Sequence, residues 1–189
     1  MKLGLKLLAA PLITAAVVLG VGAFSSLSSS REAAANQATF KGLLEDVRTL
    51  ARAQDDASQI HTSVYRTVAL IGSLSDAKVK AYRADLAQHL AQVDTEIGAL
   101  AQSVPDDAAL AAAAKAAGTQ IALYAKQADE AIDLSSVDPN TGVAAMQSAD
   151  ASFGELNKTL SAMAARMQGL ASASLDESLA RSDRLSLVL

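Results

Sequence analysis

Residues 86–100 have the sequence LAQHLAQVDTEIGAL, in which apolar side chains recur every three or four positions. The recurring residues are Leu86, Leu90, Val93, Ile97 and Leu100. This spacing places all five on one face of an α-helix, which repeats about every 3.6 residues. A single helix leaves such a face in water, so the pattern predicts that this segment packs against other helices.

The same periodicity occurs in one interval before this segment and in two after it. The apolar positions of these intervals run from Phe40 to Ile71, from Leu110 to Ala131 and from Met146 to Leu170. Met146, Met163 and Met167 fall on the last of these faces and are expected in the core. We therefore predict four helices, at about 31–72, 76–103, 106–134 and 139–184.

Three short segments rich in Gly, Pro, Asn, Asp or Ser separate the predicted helices. In the first, residues 72–76, Ser75 or Asp76 is the expected N-cap. In the second, residues 103–107, we expect Pro105 in the first turn of the following helix. In the third, residues 135–142, Asp138 is the expected N-cap and Pro139 the first helical residue.

Short connections between amphipathic helices favour antiparallel neighbours. The composition agrees, since aromatic residues make up 3% of the chain and there are three prolines. The predicted fold class is all-α, an antiparallel up-down-up-down four-helix bundle. Its two long outer helices are the first and the fourth, and the first is expected to continue from an N-terminal transmembrane helix.

An uncharged run from Leu7 to Ser30 is long enough, as a helix, to cross a bilayer. Lys2 and Lys6 precede it, which predicts a cytoplasmic segment 1–6 by the positive-inside rule. Residues 31–184 are then expected in the periplasm of a bacterial inner-membrane protein, and 185–189 resemble the start of a second span. The alternative is a cleaved signal peptide that ends near Ala23.

Charge and motif content exclude several classes of function. All 20 acidic residues follow Ser30, against 14 of the 16 basic ones, which argues against nucleic-acid binding. The chain has no cysteine, and its two histidines lie in no cluster of potential metal ligands. It carries no phosphate-binding loop, HExxH motif or nucleophile elbow. We expect no enzyme, no metal and no cofactor.

The pattern resembles the ligand-binding module of bacterial methyl-accepting chemotaxis proteins. The resemblance extends over the whole chain and includes Val64-Tyr-Arg66, Asp76-Ala-Lys-Val79 and Asp150-Ala-Ser-Phe153. It implies a homodimer that binds a small molecule, such as an organic acid or an amino acid. It also implies that the fourth helix passes the signal to a cytoplasmic signalling domain. The module is similar as well to sensor regions of histidine kinases and diguanylate cyclases.

Two Tyr-Arg pairs are the candidate ligand-binding residues. Tyr65-Arg66 and Tyr82-Arg83 lie at similar distances on either side of the 72–76 turn, so an antiparallel hairpin brings them level. Arginine suits a carboxylate, and tyrosine provides a rigid wall with a polar tip. The resemblance supports Arg66 in particular. Alternatively, both arginines face solvent or pair with nearby acids, and both tyrosines pack in the core.

His61 and Gln54 are polar residues on the apolar face of the first helix. Such residues need hydrogen-bond partners and often set helix register or dimer pairing, which is our first interpretation. Ligand contact or pH sensing is the alternative for His61. Gln127, Met146 and Gln147 reach a similar height and are candidates to complete a pocket.

A different class of function stays open at this point. The chain also fits an anchored or secreted helical bundle that docks another protein and senses no ligand.

Overall fold

The computed structural model describes the backbone of residues 3–186, with side chains described for residues 34–180 except 35, 36 and 178. Over residues 3–186 the chain is helical apart from short connections and contains no strand. Its helices are α1 (Leu3–Leu70), α2 (Asp76–Ser103), α3 (Ala108–Val137) and α4 (Pro139–Ser186), with a 3₁₀ turn at Ile71–Ser73.

The chain divides into two compact units. One comprises Met1–Gly42 with Ser172–Leu189, and the other is Leu43–Ala171. The second unit contains the hydrophobic core and every site described below. Its four helical segments pack against one another, which agrees with the predicted all-α class.

The core of Leu43–Ala171 is formed by the apolar faces identified in the sequence. All five recurring residues of α2, from Leu86 to Leu100, are buried. Met146, Met163 and Met167 are also buried, as predicted. Burial of each such side chain contributes about 1.5–3 kcal/mol, which makes this core the main source of stability. Tyr124 is its one fully buried aromatic residue among those described.

Polar contacts join the helices at several levels. Gln54 Nε2 of α1 donates a hydrogen bond of 3.2 Å to Ser161 Oγ of α4, so the predicted polar residue on the α1 face has a partner. Ser103 Oγ of α2 donates to Asp46 Oδ2 of α1 at 2.6 Å. Exposed contacts of this kind add little energy individually, but they fix which residues face one another.

The connections follow the predicted turns, but both ends of α3 differ from the prediction. The helix continues to Val137 rather than ending near residue 134, because the Asp138 N–H still donates to the Leu134 carbonyl, so only Asp138 separates α3 from α4. Asp138 accepts hydrogen bonds from the backbone N–H and the hydroxyl of Thr141, and α4 begins at Pro139 as predicted. By contrast, α3 begins at Ala108 rather than near residue 106. The reason is that Asp107 is its N-cap and accepts a hydrogen bond from the Leu110 N–H, which leaves Pro105 in the preceding turn.

No helix combines the length and apolar character of a bilayer crossing within the part of the chain that the structure describes. The predicted transmembrane run, 7–30, lies outside the residues whose side chains are described. The predicted start of a second span, 185–189, lies outside them as well.

Replacement of Asp107 by alanine is expected to lower the midpoint of thermal unfolding by several degrees. Asp107 is almost completely buried, caps α3 and accepts a 2.7 Å hydrogen bond from Arg166 Nε of α4. These interactions lower the pKa of its carboxyl, first through the Leu110 N–H and then through Arg166. Circular dichroism melting measures the effect. Asp106→Asn, at the exposed neighbouring residue, is the control, and an unchanged melting point for Asp107→Ala would contradict the assignment.

Candidate functional site

The most elaborate polar arrangement in Leu43–Ala171 surrounds His61 of α1, a half-buried residue at the edge of the core. The imidazole stacks on Phe153 of α4, with ring centroids 4.0 Å apart and planes 7° from parallel. Its Nδ1 lies 3.1 Å from the hydroxyl of Tyr124, on α3. One side chain of α1 therefore contacts two other helices through a ring and a hydrogen bond.

The opposite nitrogen of His61 faces a carboxylate. Nε2 lies 3.3 Å from Asp150 Oδ1, an ion-pair distance without the alignment of a good hydrogen bond. The other oxygen of Asp150, Oδ2, accepts a hydrogen bond from the Tyr65 hydroxyl. We call these five residues the His61 cluster: His61, Tyr65, Tyr124, Asp150 and Phe153.

The protonation state follows from these contacts. In the tautomer with its proton on Nε2, a neutral imidazole accepts the Tyr124 O–H at Nδ1, and its N–H lies on the side of the ring nearer to Asp150 without forming an aligned hydrogen bond. Burial lowers the pKa of His61 below 6.5, and the charge of Asp150 opposes this shift only in part. The hydrogen bond to Asp150 raises the pKa of Tyr65 to about 12. Tyr65 therefore keeps its proton at neutral pH and is the donor in its hydrogen bond to Asp150.

Stability is expected to fall as the pH drops below 6.5, because of His61. The unfolded chain then binds a proton at this residue that the folded chain resists, so the free energy of unfolding decreases until the folded-state pKa is passed. Urea unfolding at a series of pH values measures this. The decrease in stability below pH 6.5 is expected to be absent in His61→Gln. It is expected to persist in His89→Gln, which replaces the exposed histidine of α2. Equal pH profiles for wild type and His61→Gln would contradict the prediction.

Arg83, a predicted ligand-binding residue, is already paired with two acids of α3. Its Nε and Nη2 donate to the two carboxylate oxygens of Asp129 at 2.5 and 2.7 Å, and Nη1 donates to Asp133 at 2.9 Å. The contact with Asp129 raises the pKa of the guanidinium above its usual value. A ligand carboxylate would have to displace these acids, so Arg83 is better described as a residue that joins α2 to α3 through ion pairs.

Arg66 has a different environment from Arg83. It is exposed and bounds a surface depression of 340 Å³ whose lining comes from α1 alone, together with Ser58, Gln59, Thr62 and Ser63. The Thr62 hydroxyl donates to a backbone carbonyl of its own helix. The guanidinium forms no ion pair with any residue that the structure describes. Its donors are therefore free for an anion.

The predicted residues thus fall into separate surroundings. Tyr65 and His61 are together, with ring centroids 5.2 Å apart in an edge-to-face arrangement. Arg66 faces the depression on α1, whereas Tyr82 is half-buried and lines a groove between α1 and α2. Neighbouring residues on a helix point about 100° apart, which explains why the two Tyr-Arg pairs do not form one pocket.

Three residues of the His61 cluster were not among the predicted site residues. Asp150 is a charged residue on the flank of an apolar face, one helical turn before Phe153. This position was the feature of the sequence that could have identified Asp150 as a site residue. Tyr124 falls within the apolar interval from Leu110 to Ala131, which predicts a core position but not the partner of its hydroxyl, because that partner depends on which residue α1 places opposite it. Of the three residues expected to complete a pocket, Met146 is buried in the core, Gln147 is exposed and Gln127 is half-buried.

Comparisons of the chain with family models, with curated proteins and with solved structures give no match. The described residues also contain no group of three or more potential metal ligands. The function is therefore argued from the geometry of the His61 cluster and of the surfaces of α1 beside it.

Proposed function

We propose that the protein is the extracytoplasmic sensor module of a transmembrane chemoreceptor of the methyl-accepting type. In this proposal a small carboxylate-bearing ligand binds at Arg66 on α1. Helix α4 passes the signal to a cytoplasmic signalling domain, and the N-terminal segment anchors the module in a bacterial inner membrane. The single observation that carries the proposal is the His61 cluster, which links α1 to α4 beside the ligand-facing surface of α1.

The proposed arrangement of the helices is antiparallel, up-down-up-down. Two contacts support it for α1 and α4. Gln54 contacts Ser161, and His61, farther along α1, contacts Asp150, which lies earlier on α4. For α2 and α3, Arg83 contacts Asp129, while a β-carbon on Gly118 would lie 2.8 Å from Asp94 Oδ1. In both pairs the partner number falls as the first number rises.

The coupling between ligand and signal needs two states that bind the ligand differently. Arg66 lies one residue after Tyr65, which is bonded to Asp150 of α4. A rotation or displacement of α1 that optimises the Arg66–ligand contact therefore strains the Tyr65–Asp150 and His61–Asp150 contacts. The expected response is a small shift of α4 relative to α1.

A homodimer belongs to this proposal. The depression at Arg66 has lining residues from α1 only, so a second copy facing α1 would enclose a ligand that one copy leaves largely in water. Ligand-dependent sedimentation of the full-length chain in detergent tests this feature. Sedimentation as a monomer at every ligand concentration would remove it from the proposal.

The decisive experiment is a thermal-shift screen of the full-length chain in detergent against succinate, malate, glutamate, aspartate and phenylacetate. A ligand at about a hundred times its Kd stabilises the folded state by about 2.7 kcal/mol, which raises the melting point by several degrees. Arg66→Ala is expected to abolish the shift. Arg52→Ala, which removes another exposed arginine of α1, is expected to retain it. Equal shifts in the two variants would overturn the site, and no shift with any acid would overturn carboxylate sensing.

The membrane anchor has its own test. Sequencing of the mature N-terminus is expected to find residues 1–30 retained in a protein of the inner-membrane fraction. A mature chain that begins after Ala23 would instead identify the apolar run as a signal peptide.

A further inference from the structure

A second concave surface lies between α1 and α2, distinct from the Arg66 depression in charge. It is a groove of 440 Å³, large enough for a small organic molecule. Its apolar lining comes from both helices: Ile60, Tyr82, Leu86 and Val93. Its polar lining consists of Asp56, Gln59, Ser63, Asp85, His89 and Gln92.

The polar groups of this groove are mainly hydrogen-bond acceptors. Asp56 and Asp85 provide a carboxylate from each helix, and neither lysine nor arginine is among the described lining residues. The Gln59 amide N–H₂ donates to Asp55 and the Gln92 N–H₂ donates to Glu96, at 2.7 and 3.0 Å. These bonds occupy amide donors and leave the amide oxygens as acceptors.

The two acids differ in how far they are neutralised. Asp56 forms no hydrogen bond or ion pair with the residues that the structure describes. Asp85 lies 3.5 Å from His89 Nδ1, a contact between exposed groups that carries little energy. The groove therefore has uncompensated negative charge above an apolar floor, with an aromatic ring in its wall. This combination rejects anions and favours a cation with an apolar body.

We infer that the α1–α2 groove is a binding site for an organic ammonium cation. The ammonium group lies between Asp56 and Asp85 and donates charge-assisted hydrogen bonds to their carboxylate oxygens. The hydrocarbon part lies against Ile60, Leu86 and the ring of Tyr82. An inorganic divalent cation is disfavoured, because the described residues contain no group of three or more potential metal ligands. This inference does not depend on the sensor proposal or on Arg66.

The test is calorimetric titration of the full-length chain in detergent with 2-phenylethylammonium, with 2-phenylethanol as the uncharged analogue of the same shape. The ammonium is expected to bind and the alcohol to bind at least about tenfold more weakly. Raising the salt concentration is expected to weaken binding of the ammonium only. Equal affinities for the two compounds would overturn the inference.

Matched variants locate the site. Asp56→Asn and Asp85→Asn are each expected to weaken ammonium binding by about tenfold. Asp106→Asn removes the same charge at an exposed residue outside the groove and is expected to leave binding unchanged. The assignment would be overturned if both groove variants kept full affinity or if Asp106→Asn lost as much affinity as they do. It would also be overturned if Mg²⁺ displaced the ammonium at equal ionic strength. Arg66→Ala is expected to bind the ammonium normally, so this result is independent of the carboxylate screen.

Discussion

Replacement of Tyr124 by alanine is expected to lower the free energy of unfolding by about 3–5 kcal/mol. The side chain is 1% exposed and is among the largest fully buried side chains described. Its ring lies 5.6 Å from that of His61 and 5.8 Å from that of Phe153, measured between centroids. The truncation therefore opens a cavity at the level where α1, α3 and α4 meet. Urea unfolding at pH 7.5 measures the change.

Tyr124→Phe separates the hydroxyl from the ring. This variant keeps the packing and removes the hydrogen bond to His61 Nδ1, so we expect a smaller loss, about 1–2 kcal/mol. Leu123→Ala is the control, because Leu123 is adjacent in sequence but 48% exposed, and its expected effect is within about 0.5 kcal/mol. A loss in Tyr124→Ala no larger than in Leu123→Ala would contradict the central position of Tyr124.

The contrast between Tyr124 and His61 shows what sequence periodicity determines. Apolar spacing was sufficient to place Leu86, Ile97 and Met163 in the core, since their environment depends only on which face of a helix is buried. The N-cap at Asp138 could also be predicted from the sequence, because it depends on residues within one turn of the chain. The first residue of α3 was harder to predict, since both Pro105 and Asp107 are compatible with a helix N-terminus.

The candidate site required information that a single sequence lacks. Tyr65, Arg66, Tyr82 and Arg83 were expected at one height, but height along a bundle does not specify the direction in which each side chain points. The pairing of Arg83 with Asp129 depends on the rotation of α2 against α3. His61 was interpreted first as a residue that sets register, and its contacts with Tyr124 and Asp150 provide the partners that such a role needs.

The distribution of charge on α1 connects the two proposals. Arg66 faces a depression without a described acidic partner, and the α1–α2 groove contains Asp56 without a described basic partner. Gln59 and Ser63 line both concave surfaces. Ligands of opposite charge therefore bind on adjacent faces of one helix in these proposals.

Gly142→Ala is expected to destabilise the protein by about 2–3 kcal/mol, even though alanine is the better helix former. Gly142 lies in the first turn of α4 and packs against Ser135, near the end of α3. A β-carbon built on Gly142 would lie 2.6 Å from the Cα of Ser135. That atom belongs to the backbone, so relief requires the ends of the two helices to separate. Ser135 is 1% exposed, and separation would admit water at a packed position.

Gly154→Ala distinguishes this steric effect from helix propensity. Gly154 lies on the same helix, and a β-carbon there would have no neighbour within 4 Å. We therefore expect this variant to be more stable than wild type by about 0.5–1 kcal/mol. Because both substitutions add the same methyl group to α4, opposite signs in urea unfolding identify the Ser135 contact as the cause. Stabilisation by both substitutions would show that α3 and α4 do not approach closely at this turn.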